Sequence, residues 1–367
     1  MHTSSDHTRY WIGLSSIPGI GRTTFRKIVR RFGSPEKVLA APEGTLTKSE
    51  GLSEKAALGI RTFPWREYAE QELTRAHDAG VAIITLEDPA YPERLRKTTD
   101  PPLYLYAKGD VSVLNEQAVA IVGTRTPTYY GLSVTHRIAY GLAAAGLTVV
   151  SGMARGIDTQ AHKGALAAKG NTVAVLACGI DVAYPPENRR LMEQISDSGT
   201  VVTENPFGTK PESGYFPARN RIISGLSLGT VIIEAAEDSG SLITAAYALK
   251  EGRRLFAVPG NIGTPNSRGT NTLIKEGAVL VEETGDILGA LAIQSRPVRA
   301  TAPPRPTARL TAEEEAIFRC ISGEPKHIDR IIVESDTAPG KISGLLITLE
   351  LKGMVKQLPG KYFVSDG

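Results

Sequence analysis

Between residues 80 and 292 short, almost wholly apolar runs alternate with helix-patterned stretches. The runs are Val81–Leu86, Ala118–Val122, Leu147–Ser151, Thr172–Ala177, Thr200–Thr203, Thr230–Ile233, Leu255–Val258 and Ala278–Val281; Gly131–Ala145 and Ser241–Gly252 are two of the helical stretches. A strand apolar on both sides needs a cover on both faces, and alternation with helices supplies it. The pattern therefore predicts an α/β fold, a doubly wound, mostly parallel sheet. Ligands of such sheets sit beyond the carboxyl ends of the strands.

The loops at those ends read Gly123-Thr124-Arg125-Thr126-Pro127, Ser151-Gly152-Met153-Ala154-Arg155-Gly156-Ile157-Asp158, Phe216-Pro217-Ala218-Arg219-Asn220-Arg221, Asp238-Ser239-Gly240-Ser241 and Pro259-Gly260-Asn261-Ile262-Gly263-Thr264. Glycine admits close backbone approach, Ser and Thr cap helices, and Thr126-Pro127 is expected to cap the next helix. Amides at helix starts favour phosphate oxygens, and Arg125 and Arg221 add charge-assisted bonds. Two readings fit this composition: tight turns that any doubly wound sheet needs, or a cradle for a polyanion, which the arginines favour.

The dinucleotide fingerprint G-x-G-x-x-G and the P-loop are both missing. The six histidines (2, 7, 77, 136, 162 and 327) are scattered, and Cys178 and Cys320 stand far apart, so neither a metal site nor a disulfide framework is expected. His162 reads as a packing or capping residue. No catalytic residue and no cofactor is expected. Net charge is only +3, from 42 Lys+Arg against 39 Asp+Glu, so anion binding has to come from local patches. A polar Met1–Tyr10 and the lack of a long apolar run point to a cytoplasmic protein away from membranes.

Two modules are expected to flank the sheet. Residues 1–79 read as a small helical unit in which Ile17-Pro18-Gly19-Ile20-Gly21 has the form of a helix–hairpin–helix turn, with a degenerate second hairpin at Gly51–Lys55. Arg22, Arg26, Lys27, Arg30 and Arg31 follow the turn without an acid among them, which suits either a DNA backbone or a solvated basic face. Residues 293–309, rich in Pro and Arg, read as a stiff linker. Residues 310–367 show three helices and a β-hairpin, a winged-helix pattern whose third helix carries few basic residues.

The ordered motifs Ile121-Val122-Gly123-Thr124-Arg125, Ser151–Asp158 with Ala161-His162, Phe216–Ser227, Glu234-Ala235, Ser239–Ala245 and Ala257-Val258-Pro259-Gly260 resemble the DNA-processing protein A (DprA/Smf) family over residues 80–290. The resemblance implies an extended Rossmann-like form of the sheet, and a non-enzymatic homodimer that binds and shields single-stranded DNA in natural transformation and loads RecA recombinase onto it. It places DNA contacts on Gly123, Thr124, Arg125, Thr126, Gly152, Asn220, Arg221, Ser239 and Gly240, with Phe216 touching a base. Secondary contacts are expected at Arg22, Arg26, Lys27, Lys163 and Arg189, with duplex DNA met through the flanking modules. Relatives often carry a basic residue where Pro186 stands. Two rivals remain: a nucleotide phosphoribohydrolase-like enzyme with Glu234 as its acid, and a winged-helix transcriptional regulator.

Overall fold

A computed structural model describes residues 3–46, 52–293, 310–322, 325–335 and 337–365. It divides into two compact units, Met1–Thr126 with Thr135–Arg296, and Pro127–Val134 with Pro297–Gly367. From residue 294 onward, the expected linker lies outside the described residues, as does Gly51.

The first unit is built on strands β1 (Ala82–Thr85), β2 (Tyr104–Gly109), β3 (Ala118–Val122), β4 (Thr148–Ser151), β5 (Thr172–Val175), β6 (Thr200–Thr203), β7 (Gly229–Ile232), β8 (Arg254–Ala257) and β9 (Val279–Leu280). Among the described residues they form one nine-stranded sheet in the order β1-β2-β6-β5-β4-β3-β7-β8-β9. From β6 to β9 all neighbours are parallel, while β2 joins β6, and β1 joins β2, antiparallel. The mostly parallel, doubly wound sheet is thus the one the alternation predicts, and every residue of β3 to β7 is buried. The chain winds outward from β3 to β6, then returns to place β7 on the other side of β3. That reversal opens a crevice at the strand ends between β3 and β7.

Strand β2 is absent from the sequence-based reading. Its Tyr104-Leu105-Tyr106 run follows Pro101-Pro102, and its aromatic residues, which favour strands, are the sequence signal for it. Tyr104 and Tyr106 are buried, and they join the sheet to the N-terminal helices.

Those helices are Thr3–Ser15, Arg22–Phe32, Pro35–Ala40, Glu43–Leu46, Glu54–Thr62 and Trp65–Asp78. Gly19, at φ +91°, makes the turn before Arg22, a conformation that a side chain would strain. Trp11 and Phe25 meet with centroids 5.0 Å apart inside a core that also takes in Ile12, Leu14, Ile17, Ile28, Ile60 and Trp65. That core runs on into Tyr104, Tyr106 and Val201 of the sheet. Buried Glu72 accepts from the Tyr106 hydroxyl (2.6 Å) and the Phe207 amide (3.2 Å). The N-terminal module is welded to the sheet.

The second unit holds helices Ala312–Arg319, Ile328–Ser335 and Pro339–Leu351 with strands β10 (Lys326–His327), β11 (Val355–Leu358) and β12 (Tyr362–Ser365), paired antiparallel in the order β10-β12-β11. Ile317, Ile331, Ile342, Leu346, Leu349, Val355 and Phe363 fill its core. This is the winged-helix arrangement. Lys341 pairs with Glu313 (3.1 Å) and Lys352 with Glu314 (2.6 Å), so both basic residues at the third helix are tied to acids of the first.

Candidate nucleic-acid interface

At the crevice, Gly123, Thr124 and Arg125, Ala154 and Asp158, Phe216, Arg219 and Asn220, and Ser239 to Ser241 surround a cleft of about 430 Å³. Each wall follows from local sequence. A Cβ on Gly123 would lie 2.7 Å from Ile157 Cγ1 and 3.0 Å from the Glu234 carbonyl, so only glycine lets the first loop nest there. The Thr124 amide donates to the Glu234 carbonyl (2.8 Å), and the Thr126 amide leans on Thr124 Oγ1 (3.3 Å). These two amides hold the loop. The amides of Arg125 and Gly240 have no protein acceptor among the described residues. Ser239 caps the helix Gly240–Lys250 through its side chain, and Asn220 Nδ2 donates to the Gly240 carbonyl (3.3 Å). The helices Ile157–Ala167, Tyr215–Leu226 and Gly240–Lys250 all begin here, so their positive dipole ends add to the exposed Arg125.

Arg125 is held from one side. Its guanidinium carbon lies 5.0 Å from the centroid of the Phe216 ring, a cation–π contact, and Tyr184 packs against the same Phe216 at 5.8 Å. Beneath them lie two charges that the sequence-based site omits. Asp158 and Arg219 are each 5% exposed, and Arg219 Nη1 donates to the Val175 carbonyl (2.6 Å). Burial pushes the Asp158 carboxyl above its ordinary range, with Arg219 acting against the shift. The signal for Arg219 was legible, because positions 216, 219 and 220 share one helical face and 221 does not.

Four expected contacts are corrected. Gly152 is buried, and a Cβ on it would overlap the Arg219 guanidinium and the Asp158 carboxylate, so its glycine serves that pair rather than a ligand. Arg221, 7% exposed, turns away from the cleft: it pairs with Glu204, donates to the Asp100 carbonyl (2.8 Å) and reaches Asp100 Oδ2 at 3.5 Å. Arg22 (3.0 Å to Asp100, 3.1 Å to Glu204) and Arg26 join the same network, and these three arginines bind the N-terminal module to the sheet. Burial works to raise the Asp100 carboxyl, but its arginine partners hold it below the ordinary range. Lys27, Lys163 and Arg189 are exposed. The helix cap also moves: Thr128, not Thr126, accepts from the Gly131 amide (3.1 Å), and the helix starts at Tyr129.

His162 is fully buried, its Nε2 donating to the Gly152 carbonyl (2.6 Å) and its Nδ1 lying 2.7 Å from Thr172 Oγ1. Burial pushes its imidazole down to about 4, so it stays neutral at neutral pH and packs, as the sequence suggested. Glu234 is 4% exposed. Among the described residues no three His, Cys, Asp or Glu side chains gather as a metal site, and no helix is long and apolar enough to cross a membrane.

Fold and cleft together define an extended Rossmann protein with a cationic cleft at the switch point, preceded in the sequence by a helix–hairpin–helix module and followed in the sequence by a winged helix. The chain belongs to the DNA recombination-mediator protein A family, whose profile matches residues 82–292. A DprA winged helix domain profile matches 301–361, and a SAM-like helix-hairpin-helix tandem profile matches 12–61. It is 33% identical to Protein Smf of Synechocystis sp., covering 96% of this chain and 97% of that one. The X-ray structure of DNA processing protein A from Streptococcus pneumoniae superposes with a TM-score of 0.69 at 33% identity, over 77% of this chain and 97% of that one. DNA processing protein A from Helicobacter pylori, described for its single-stranded DNA binding mode, superposes at 0.53 and 33% identity, over 58% and 97%.

Proposed function

We propose that this protein holds single-stranded DNA along the strand-end edge of its parallel sheet, with little regard to sequence, and passes it to RecA recombinase as a homodimer in transformation or recombination. The observation that carries the reading is the convergence of Gly123-Thr124-Arg125, Ser239-Gly240 and Asn220 on one cleft that contains Arg125 and Arg219 against the single acid Asp158. Unsatisfied amides and a guanidinium recognise phosphate without reading base edges, which makes binding sequence-tolerant. The H. pylori relative's single-stranded DNA binding supports the same ligand. RecA and the homodimer rest on the family resemblance. For the dimer there is added support in β9, which ends the sheet with Leu280 42% exposed, an edge that a second copy can cover. The proposed role is one of holding rather than catalysis, and His162, whose ring nitrogens meet the Gly152 carbonyl and the Thr172 hydroxyl inside the core, is not offered to a ligand.

The test is fluorescence anisotropy with a labelled oligo-dT and a matched duplex across a salt series. Tighter binding of the single strand is expected, with log K falling about 0.7 per neutralised phosphate as log salt rises. Arg125→Ala should weaken binding and flatten that slope by about one phosphate while leaving thermal stability unchanged. Salt-independent binding, or preference for the duplex, refutes the reading.

A further inference from the structure

The aromatic wall of the cleft has a division of labour. Phe216 is half-buried, and one face of its ring already carries Arg125 at 5.0 Å. A base cannot stack on that face while the guanidinium occupies it. Tyr184, tilted 58° against Phe216 at 5.8 Å, is the more exposed of the two rings, at 37%. Its loop is held from below. Buried Asn188 donates from Nδ2 to the Met153 carbonyl (3.0 Å) and to Thr159 Oγ1 (2.8 Å), and the Asn188 amide donates to the Pro185 carbonyl (3.0 Å). Pro185 and Pro186 stiffen the chain beside it, and Arg155, an exposed cation from the β4 loop, pairs with Glu187 next door. An aromatic on a pre-set loop loses little entropy when a ligand stacks on it.

We infer that Tyr184 is the base-stacking platform of this interface, taking one unpaired base next to the phosphate held at Arg125, while Phe216 is a positioning residue that orients the guanidinium. The inference rests on the proposed single-stranded DNA binding and gives the strand a direction, from the β3–β7 crevice across Phe216 toward the β5 loop. It also explains how the site works without a basic residue at Pro186: contact there is apolar and sequence-tolerant, because every base has a face to stack.

The experiment uses the full chain and oligo-dT carrying 2-aminopurine at one position at a time. In the wild type, fluorescence at one position is quenched on binding. Tyr184→Phe keeps the quenching and the affinity. Tyr184→Ala loses the quenching and binds about tenfold more weakly, with an unchanged salt slope. Tyr184 also covers a small crevice beside Met153, Leu176 and Cys178, so Tyr184→Leu, which fills the same place without a π-face, guards against a folding defect and should behave like the alanine variant. Unchanged quenching and affinity in Tyr184→Leu, or a loss that comes with a flatter salt slope, overturns the assignment while leaving the DNA-binding reading intact. Failure of the wild type to bind oligo-dT overturns that reading instead.

Discussion

Arg221→Ala separates a structural arginine from a ligand-binding one. In the folded chain the Arg221 guanidinium is 7% exposed and serves Glu204, whose side chain is 14% exposed, together with the carbonyl and carboxylate of Asp100. Truncation leaves Glu204 with Arg22 alone, itself 37% exposed at the side chain. Breaking a buried pair by removing one partner costs about 3–5 kcal/mol, and the remaining Arg22 contact puts the expectation at the lower end, about 3 kcal/mol. For a chain of this size that is a fall in melting temperature of about 4–5 °C. Differential scanning calorimetry reads the loss, and oligo-dT anisotropy across salt reads the binding. The expected result is lower stability with an unchanged salt slope, the mirror image of Arg125→Ala. Intact melting with weakened, flatter binding would show that Arg221 holds phosphate after all, and the corrected site would be wrong.

Three more outcomes follow from the same geometry. Gly152→Ala forces its methyl into the Arg219–Asp158 pair and should destabilise the chain by about 1–3 kcal/mol, seen as a lower melting temperature; a neutral effect would mean that the pair is not packed as described. His162, ordinarily near 6.5 and here held at about 4, binds its proton in the unfolded chain first, so stability is complete above pH 6.5 and falls by up to about 3 kcal/mol as pH drops toward 4. Asp158, shifted the other way, opposes part of that loss, so the check is denaturant unfolding of wild type against His162→Gln: the wild type should show the steeper acid decline, and parallel curves would refute the assignment. Lys352→Met should leave single-stranded DNA affinity unchanged, because that lysine is spent on Glu314 at 2.6 Å; a flatter salt slope would assign it to DNA.

Alternation of apolar runs with helices was enough to specify the sheet, since strands buried on both faces have no other stable neighbour, and the Gly19–Gly21 turn and the C-terminal three-helix pattern were equally local. The cleft loops were legible for the same reason: ligands of this sheet class meet the strand ends. What local pattern could not carry was direction. Arg219 and Arg221 are two residues apart on one helix, roughly 200° around its axis, so one faces the cleft and the other the N-terminal module. Which is which depends on where Glu204, Asp100 and Gly152 arrive from distant parts of the chain. Arg22 and Arg26 likewise read as free cations until folding brought two acids against them. Charge and composition are properties of residues, but whether a charge is offered to a ligand or consumed inside the protein depends on partners that only long-range packing brings within 4 Å.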